Sequence, residues 1–424
     1  MRILLTTYPQ KTHFLMMVPL AWALRTAGHD VVFASQPALA PDITQAGLTA
    51  VSVGKDSGQW RLAEIAPEEA EAEREGLPAP FDAPVRPVED LVWEEMRDAY
   101  ELQVYRWHKI DNFPMVSDLV AFAQHWQPDL VIWEPTTYAG AIAAMACGAA
   151  HARMMWSIDL FAVTRERYLT LKNRQPPHDR GDAMQRWLGG YGTKFGDGFT
   201  EEMITGQFTI DLLPASMRME AAGVHYVPLG YVPYGGRASV PAWLWEPPTR
   251  PRVAFSLGIS ATNRFGGYTV GVQDVLDSLA DLDIEIVATI ADKELHKLPR
   301  IPDNTRVVPF VPLHALMPTC AAVIHHAGPG TLRTASHYGV PQLALPWDFD
   351  EPELARRLAA QGAGISIPAG EATGARVREA LLRLLGEPQF AAGAERLRAE
   401  MAALPTPNEL VARLEKLTAE HRTR

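Results

Sequence analysis

Short apolar runs rich in β-branched residues alternate with longer helical patterns along the first half of the chain. Residues 3–5 and 31–34 are two such runs, and a helical pattern at 16–27 lies between them. A further run at 129–133 leads into an Ala-rich helical segment at 139–147. Strands that alternate with helices in this way predict βαβ units and therefore a parallel sheet. The first half is expected to form a Rossmann-like, doubly wound α/β domain.

The same alternation begins again after residue 250, so a second doubly wound domain is expected. Its predicted strands are residues 253–257, 284–288, 307–310, 322–324 and 342–345. Residues 228–251 contain six prolines and three glycines, which interrupt regular structure and indicate a linker. The predicted divisions are an N-terminal domain at 1–227, a linker at 228–251, a C-terminal domain at 252–405, and a C-terminal helix at 406–424 that packs back on the N-terminal domain.

Composition narrows the classes of function. The chain has 424 residues and a net charge of −11, which argues against a general binder of nucleic acid or anionic membranes. Its two cysteines, Cys147 and Cys320, lie far apart in apolar surroundings, and we expect free thiols without a disulfide or zinc site. No apolar run reaches the ~20 residues that a bilayer span needs. No signal-peptide pattern is present either, so we expect a cytoplasmic protein.

The segment 321–340 carries the strongest functional signal. A buried strand is predicted to end in His325 and His326, a Gly-containing loop follows, and a helix is expected to begin near Thr331. The first N–H groups of a helix are unpaired and its dipole adds positive charge, so small residues there can admit an anion. The alternative is a tight turn capped by histidines. Two imidazoles at the end of an apolar strand are costly unless a ligand uses them, which favours the anion site.

The run 325–331, His-His-Ala-Gly-Pro-Gly-Thr, resembles the His-His-Gly-Gly-Ala-Gly-Thr motif of bacterial natural-product glycosyltransferases. That group has the GT-B fold, is part of glycosyltransferase family 1, and includes the macrolide and anthracycline deoxysugar transferases of actinomycetes. Residues 19–31, 128–135 and 231–234 resemble other segments of the same family. The resemblance therefore extends over essentially the whole chain.

Two positions depart from the family motif. Ala327 replaces a glycine, and Pro329 replaces an alanine and removes a backbone donor, which the start of a helix tolerates. The resemblance implies two domains facing across a cleft, with the acceptor on the first and the nucleotide sugar on the second. It implies inverting, metal-independent transfer of a deoxysugar from a TDP-sugar to a hydroxyl of a hydrophobic polyketide-type aglycone in antibiotic biosynthesis. No cofactor beyond this co-substrate is expected.

Donor-site residues are carried over from the family by position. Phe310 and Val311 would lie along the nucleobase or, alternatively, in the core, and Ser260 would reach the phosphates or form an ordinary turn. Asp350 and Glu351 occupy the place of an Asp-Gln pair that binds sugar hydroxyls. The added negative charge suggests a cationic aminodeoxysugar, whereas an acidic pair favoured by a helix dipole is the alternative. The complete set of donor-site candidates is Ser260, Phe310, Val311, His325, His326, Gly328, Gly330, Thr331, Asp350 and Glu351.

Candidates for catalysis lie in the first domain. His13 follows the first predicted strand, and ligands bind at the carboxyl ends of strands in such sheets. Histidine removes protons near neutral pH, and the resemblance places the family's catalytic base here. Glu134 ends another strand and is the expected partner of His13. The alternatives are a surface histidine and a helix-cap carboxylate. Tyr138 is the candidate for acceptor contact, and other aromatic residues near the expected pocket are Trp60, Trp93, Trp107 and Trp156.

Other interpretations stay open from the sequence. The tripeptide 348–350 spells Asp-x-Asp, a metal-binding signature of a different transferase fold, but it is a weak signal and no metal is expected. A sugar-nucleotide epimerase of the same fold and a non-catalytic protein that binds nucleotide or aglycone are the alternative functions. The resemblance also implies a helper protein similar to a haem monooxygenase. A homodimer is open, whereas nucleic acid and membrane are not expected as partners.

Overall fold

The computed structural model describes residues 1–56, 76–196, 198–258, 261–262 and 267–423. Trp60 and Ser260 lie outside these ranges. Within the described residues, thirteen parallel strands form one seven-stranded and one six-stranded sheet. The predicted fold class, two doubly wound α/β domains, is confirmed.

The first sheet consists of β1 (Arg2–Thr6), β2 (Asp30–Ser35), β3 (Ala50–Ser52), β4 (Leu130–Trp133), β5 (Ala150–Met154), β6 (Phe208–Asp211) and β7 (Tyr226–Pro228). Its order is β3-β2-β1-β4-β5-β6-β7. The second sheet consists of β8 (Arg252–Ser256), β9 (Glu285–Thr289), β10 (Thr305–Val308), β11 (Cys320–His325), β12 (Gln342–Ala344) and β13 (Gly364–Ser366). Its order is β10-β9-β8-β11-β12-β13. In both sheets the chain reverses its direction of winding beside the first strand, which is where α/β sheets bind ligands.

Helices cover both sheets. Those before β8 are α1 (Lys11–Thr26), α2 (Ala40–Gln45), α3 (Trp93–Gln103), α4 (Lys109–Trp126), α5 (Ala139–Cys147), α6 (Leu160–Asn173), α7 (Ala183–Phe195) and α8 (Glu202–Thr205). Those after it are α9 (Val272–Ser278), α10 (Leu313–Leu316), α11 (Pro329–His337), α12 (Glu351–Ala360), α13 (Gly374–Gly386), α14 (Pro388–Ala402) and α15 (Pro407–His421). A π-helical turn, Val104–His108, joins α3 to α4. In the described part of the chain, no helix combines the length and apolarity that a bilayer crossing requires.

Helix α1 begins at Lys11, earlier than the predicted pattern at 16–27. The added turn is held by burial, because Phe14 is fully buried and packs edge-on against Phe33 of β2 at 4.9 Å between ring centroids. His13, which precedes the predicted helical pattern, therefore lies on the first turn of α1 rather than in a loop between β1 and the helix. A helical position restricts the direction of the imidazole more tightly than a loop would.

Helix α15 packs against α1 and β5 of the first domain. Leu410, Leu414 and Leu417 are buried there and join the hydrophobic core of the first sheet. The helix starts with a capping box, in which Thr406 accepts a hydrogen bond from the N–H of Glu409 and the Glu409 carboxylate accepts one from the N–H of Thr406. The end of the chain thus stabilises the domain in which it begins.

A buried ionic network joins three strands of the first sheet. Arg153 of β5 forms an ion pair with Asp159, and both side chains are fully buried. Arg153 also donates to Thr209 of β6 at 3.1 Å, and Asp159 accepts from the hydroxyl of Tyr226 of β7 at 2.8 Å. Asp159 caps α6 as well, because it accepts from the N–H of Ala162 at 2.9 Å. One carboxylate therefore holds the strand ends and the helix start together.

Removing this carboxylate should destabilise the fold strongly. Asp159→Ala leaves the guanidinium of Arg153 buried without its counter-ion, which costs about 3–5 kcal/mol in comparable cases. We expect a loss of that order in the free energy of unfolding, measured by urea denaturation followed by circular dichroism. The control is Glu395→Ala, which removes an exposed ion pair with Arg398 on α14 and should leave the urea midpoint unchanged. Equal midpoints for both variants would contradict the importance of the network.

Candidate active site

A cavity of about 680 Å³ lies between the two domains, at the carboxyl edges of both sheets. His13 lines it from the first domain, and residues 231 and 233–235 of the predicted linker form part of its wall. The predicted donor-site residues that line it are Phe310, Val311, His326, Gly328, Gly330, Thr331, Asp350 and Glu351. The structure therefore brings the candidate base and most of the candidate donor residues to one space.

His13 and Glu134 form a close pair at the first sheet. Nδ1 of His13 lies 3.4 Å from Oε2 of Glu134, which directly follows β4. The other carboxylate oxygen of Glu134 accepts hydrogen bonds from the hydroxyls of Thr136, at 2.8 Å, and Thr137. Thr137 is fixed in turn, because its hydroxyl accepts from the N–H of Tyr8 at 2.9 Å. These bonds hold the carboxylate in position toward the imidazole.

Glu134 carries the charge that is needed to stabilise a protonated His13. Burial raises the pKa of Glu134, but the hydrogen bond and charge of His13 and the bonds from both threonine hydroxyls leave it below its ordinary value. The carboxyl is therefore ionised at neutral pH. An ionised partner at Nδ1 of His13 favours the tautomer that carries its proton there, which leaves the Nε2 lone pair to accept a proton.

Two aromatic rings fix the orientation of the His13 imidazole. The ring of Trp156 stacks on it, with 4.5 Å between centroids and an interplanar angle of 16°. The ring of Tyr8 meets it edge-on at 5.4 Å. His13 is only 8% exposed, so most of this candidate base is shielded from solvent at the cavity wall.

The phosphate loop predicted at 325–331 joins β11 to α11. The helix begins at Pro329, earlier than the expected start near Thr331, because proline suits a first helical position that needs no N–H donor. Ala327 has φ = +69°, a left-handed conformation that glycine adopts without strain. The replacement of the family's glycine thus places strain in the loop. Helix geometry leaves the N–H groups of Gly330 and Thr331, both at the cavity, without intrahelical partners.

His326 is seated between two glycines that leave room for its ring. A Cβ atom on Gly258 would lie 2.5 Å from Cε1 of His326, and one on Gly328 would come closer still to Nε2. Real Cβ atoms do not approach so closely, so neither position admits a side chain unless the ring moves. Nε2 of His326 lies 3.6 Å from Oε1 of Glu351. The two glycines and the glutamate together define where the imidazole lies.

The acidic pair lies at the start of α12. Asp350 accepts a hydrogen bond from the hydroxyl of Ser157 of the first domain, and burial raises the pKa of Asp350 to about 7. Oε2 of Glu351 accepts from the N–H groups of Trp347, at 3.1 Å, and Asp348, at 2.9 Å. Burial is the main cause that raises the pKa of Glu351 well above its ordinary value, and the charge of Asp348 raises it further. Both acids therefore retain protons at higher pH than exposed carboxyls do.

His325 and Tyr138 depart from the expectation of ligand contact, because neither lines the cavity. His325 is fully buried, and its Nδ1 accepts a hydrogen bond from the N–H of Ala327 at 3.0 Å. Burial and the neighbouring His326 lower the pKa of His325 to about 3, so it supports the loop as a neutral ring. Tyr138 packs edge-on against His108 and Trp187 in the core of the first domain.

Sequence patterns did not identify several residues at or near the cavity. The π-helical turn 104–108 brings Arg106, Trp107 and His108 to the cavity wall, and only Trp107 among them was a candidate. Arg333 of α11 is buried between the domains. The sequence feature that could have identified Arg333 is its position as a cationic residue within a segment of mostly small residues, 329–337. Among the described residues, no group of three or more histidine, cysteine, aspartate or glutamate side chains is placed to hold a metal ion.

Comparisons with known proteins extend over both domains. Residues 22–258 match the family described as "Erythromycin biosynthesis protein CIII-like, N-terminal domain", and residues 273–417 match its C-terminal counterpart. The chain is 46% identical over 423 residues to 10-deoxymethynolide desosaminyltransferase of Streptomyces venezuelae, covering 100% of this chain and 98% of that protein. It is 44% identical to TDP-daunosamine transferase DnrS of Streptomyces peucetius, covering 100% and 98%. The crystal structure of glycosyltransferase VinC in complex with dTDP superposes with a TM-score of 0.87 at 38% identity, covering 99% of this chain and 100% of VinC.

The affinity for thymidine diphosphate, measured by titration calorimetry, tests whether binding depends on the position of the His326 ring. Gly328→Ala places a Cβ against Nε2 of His326, so the ring must leave its position. We expect affinity to fall at least about tenfold, the value of one hydrogen bond to a charged group. Gly235→Ala is the matched control, since it lies at the same cavity with no atom within 4 Å of its added Cβ. Unchanged affinity of Gly328→Ala would show that the ring position is not needed for diphosphate binding.

Proposed function

Since the chain belongs to the EryCIII-like family and is a glycosyltransferase, we propose that it transfers a deoxysugar from a TDP-sugar to a hydroxyl of a hydrophobic polyketide-type aglycone in antibiotic biosynthesis. The family predicted from the run 325–331 is confirmed by these matches. The comparisons give no support to the epimerase or to the non-catalytic binding protein. The observation that carries the proposal is the His13–Glu134 pair, because His13 lines the same cavity as the start of α11.

The proposed reaction begins at His13. Nε2 takes the proton of the acceptor hydroxyl, and the acceptor oxygen attacks the anomeric carbon of the sugar. The bond from that carbon to the diphosphate oxygen breaks, and its electron pair leaves with TDP. Attack from the face opposite the leaving group inverts the anomeric configuration. Glu134 supports the imidazolium that forms, because its carboxyl is ionised and lies at Nδ1.

The leaving diphosphate gains negative charge at the opposite wall. The N–H groups of Gly330 and Thr331 and the dipole of α11 would stabilise that charge, and His326 would donate to a phosphate oxygen. The two walls approach closely at this point, since Cε of Met16, one turn after His13, lies 3.8 Å from where a Cβ of Gly330 would be. In this mechanism, backbone dipoles and an imidazole do the work that a metal ion does in other transferases.

An aminodeoxysugar is the donor that we propose, and Glu351 supports it. Its carboxyl replaces the family's glutamine, and its Oε1 is not used by the backbone N–H groups that bind Oε2. Burial raises the pKa of Glu351 in the free protein, and the ammonium of an amino donor would favour its ionised form. Glu351→Gln should therefore lower kcat/KM about tenfold for an amino donor, the value of a charge-assisted bond, and leave a neutral deoxysugar donor unaffected. The two donors are compared by mass spectrometry of the products. An equal change for both would count against a cationic sugar.

A helper protein similar to a haem monooxygenase is proposed as a partner, as the family resemblance implies. Support comes from exposed apolar side chains at helical spacing on α3, the π-helical turn and α4, namely Leu102, Tyr105, Ile110 and Phe113. Phe113 is 79% exposed, which is costly for a side chain that stays in water. Full turnover by the purified chain alone would make the helper unnecessary. A homodimer and a cytoplasmic location stay predictions from the sequence.

Loss of the base should abolish most turnover. His13→Ala is expected to lower kcat by roughly 10²–10⁴-fold, as for other general bases, with thymidine diphosphate affinity little changed because the diphosphate lies on the other wall. Glu134→Gln should lower kcat in the same direction, because it removes the charge but keeps the size. His125→Ala changes an exposed histidine outside the cavity and serves as the control. Near-normal turnover of His13→Ala would remove His13 from the mechanism.

A further inference from the structure

Arg333 lies where the two domains meet. It is on α11, one turn after Pro329, and is only 1% exposed. Among the described residues, no carboxylate forms an ion pair with its guanidinium at 4.0 Å or less. Burial lowers the pKa of Arg333, and nearby Tyr231, Asp211 and Asp350 partly offset this effect. A buried cation without a direct counter-ion is costly, so its hydrogen bonds must account for its presence.

The guanidinium connects the first domain to the start of α11. Its Nη2 donates to the carbonyl of Trp156 at 2.7 Å and lies 2.7 Å from Sδ of Met16, both in the first domain. Its Nε donates to the carbonyl of Pro329, the first residue of α11, at 3.0 Å. The ring of Tyr231 faces the guanidinium, with 4.9 Å from Cζ to the ring centroid. One planar group thus holds atoms from both walls of the cavity.

The two contacts in the first domain both surround His13. The ring of Trp156 is the one that stacks on the His13 imidazole, and Met16 lies one helical turn after His13 on α1. The contact in the second domain is at the residue that begins the diphosphate-facing helix. The guanidinium of Arg333 therefore couples the position of the His13 imidazole to the position of the first residue of α11. A flexible ammonium or an apolar side chain could not make these directed bonds together.

We propose that Arg333 is a positioning residue that sets the separation between His13 and the diphosphate site. The inference rests on the proposed role of His13 as the base. Proton removal and departure of the diphosphate occur on opposite faces of one sugar, so the two walls must stand at one fixed distance during the reaction. Misplacement of reacting groups by about 1 Å can cost 10²-fold in rate. Arg333 touches neither substrate in this proposal, and it acts through Trp156, Met16 and Pro329.

The test compares four forms of the full-length chain: wild type, Arg333→Met, His13→Ala and the double variant. Turnover is followed by mass spectrometry with TDP-sugar and aglycone, and thymidine diphosphate affinity is measured by calorimetry. We expect Arg333→Met to lower kcat about 10–100-fold with affinity changed less than about threefold. In the His13→Ala background the same substitution should lower kcat less than about threefold, because the effects of substitutions at residues that act together do not add.

Controls separate positioning from loss of stability. Arg333→Lys keeps the charge and most of the volume but loses the fork of donors, so kcat should still fall severalfold. Arg252→Met removes another buried arginine, at the start of β8 and paired with Glu285, and should lower stability without changing kcat below its melting temperature. If Arg333→Met does not fold, Arg333→Lys alone decides the question in both backgrounds.

The outcomes distinguish this inference from the proposed function. If the Arg333 variants have the same kcat as the wild type, Arg333 has no positioning role, and His13 can still be the base. Equal fold-losses in the wild-type and His13→Ala backgrounds also overturn it, because Arg333 would then act independently of His13. Near-normal turnover of His13→Ala alone instead overturns the assignment of the base.

Discussion

The carboxyl edges of two parallel sheets face one cleft, and every functional group at the site depends on that arrangement. The connections after β1 and β4 bring His13 and Glu134 to one wall, and the connection after β11 brings His326 and the start of α11 to the other. In the proposed mechanism each wall supplies what the other lacks: His13 accepts a proton on one side, and the N–H groups at the start of α11 face the diphosphate on the other. Neither sheet alone could carry out both parts of a group transfer.

Burial then determines how the ionisable groups at the cleft behave. Glu134 is buried, yet bonds from His13 and two threonine hydroxyls hold its pKa below the ordinary value. Asp350 is buried with fewer such bonds, and its pKa rises to about 7. The same residue chemistry therefore gives an anion beside His13 and a readily protonated acid beside the donor wall. This division is set by the local hydrogen bonds rather than by residue type.

The domain interface is built from polar as well as apolar contacts. Ser157 donates to Asp350, and Arg333 donates to the carbonyl of Trp156, so hydrogen bonds cross between the walls close to the cavity. Hydrogen bonds have directional preferences, so contacts of this kind restrict how one wall can sit against the other more closely than apolar packing alone would.

The alternation of apolar runs and helices determined the two parallel sheets, because the spacing of strands and crossovers is local in sequence. The run 325–331 likewise determined a turn from a strand to a helix and predicted an anion site there, since small residues and a helix start are adjacent along the chain. Tertiary structure alone decided the rest. It placed His13 on a helix, because Phe14 is buried beside it. It placed the ring of His326 between two glycines, 258 and 328, that are 70 residues apart in sequence. It also buried His325 and Tyr138 away from the cavity. It also set the contacts of Arg333 with Trp156 and Met16, which depend on how two separately folded sheets meet and which no local pattern records.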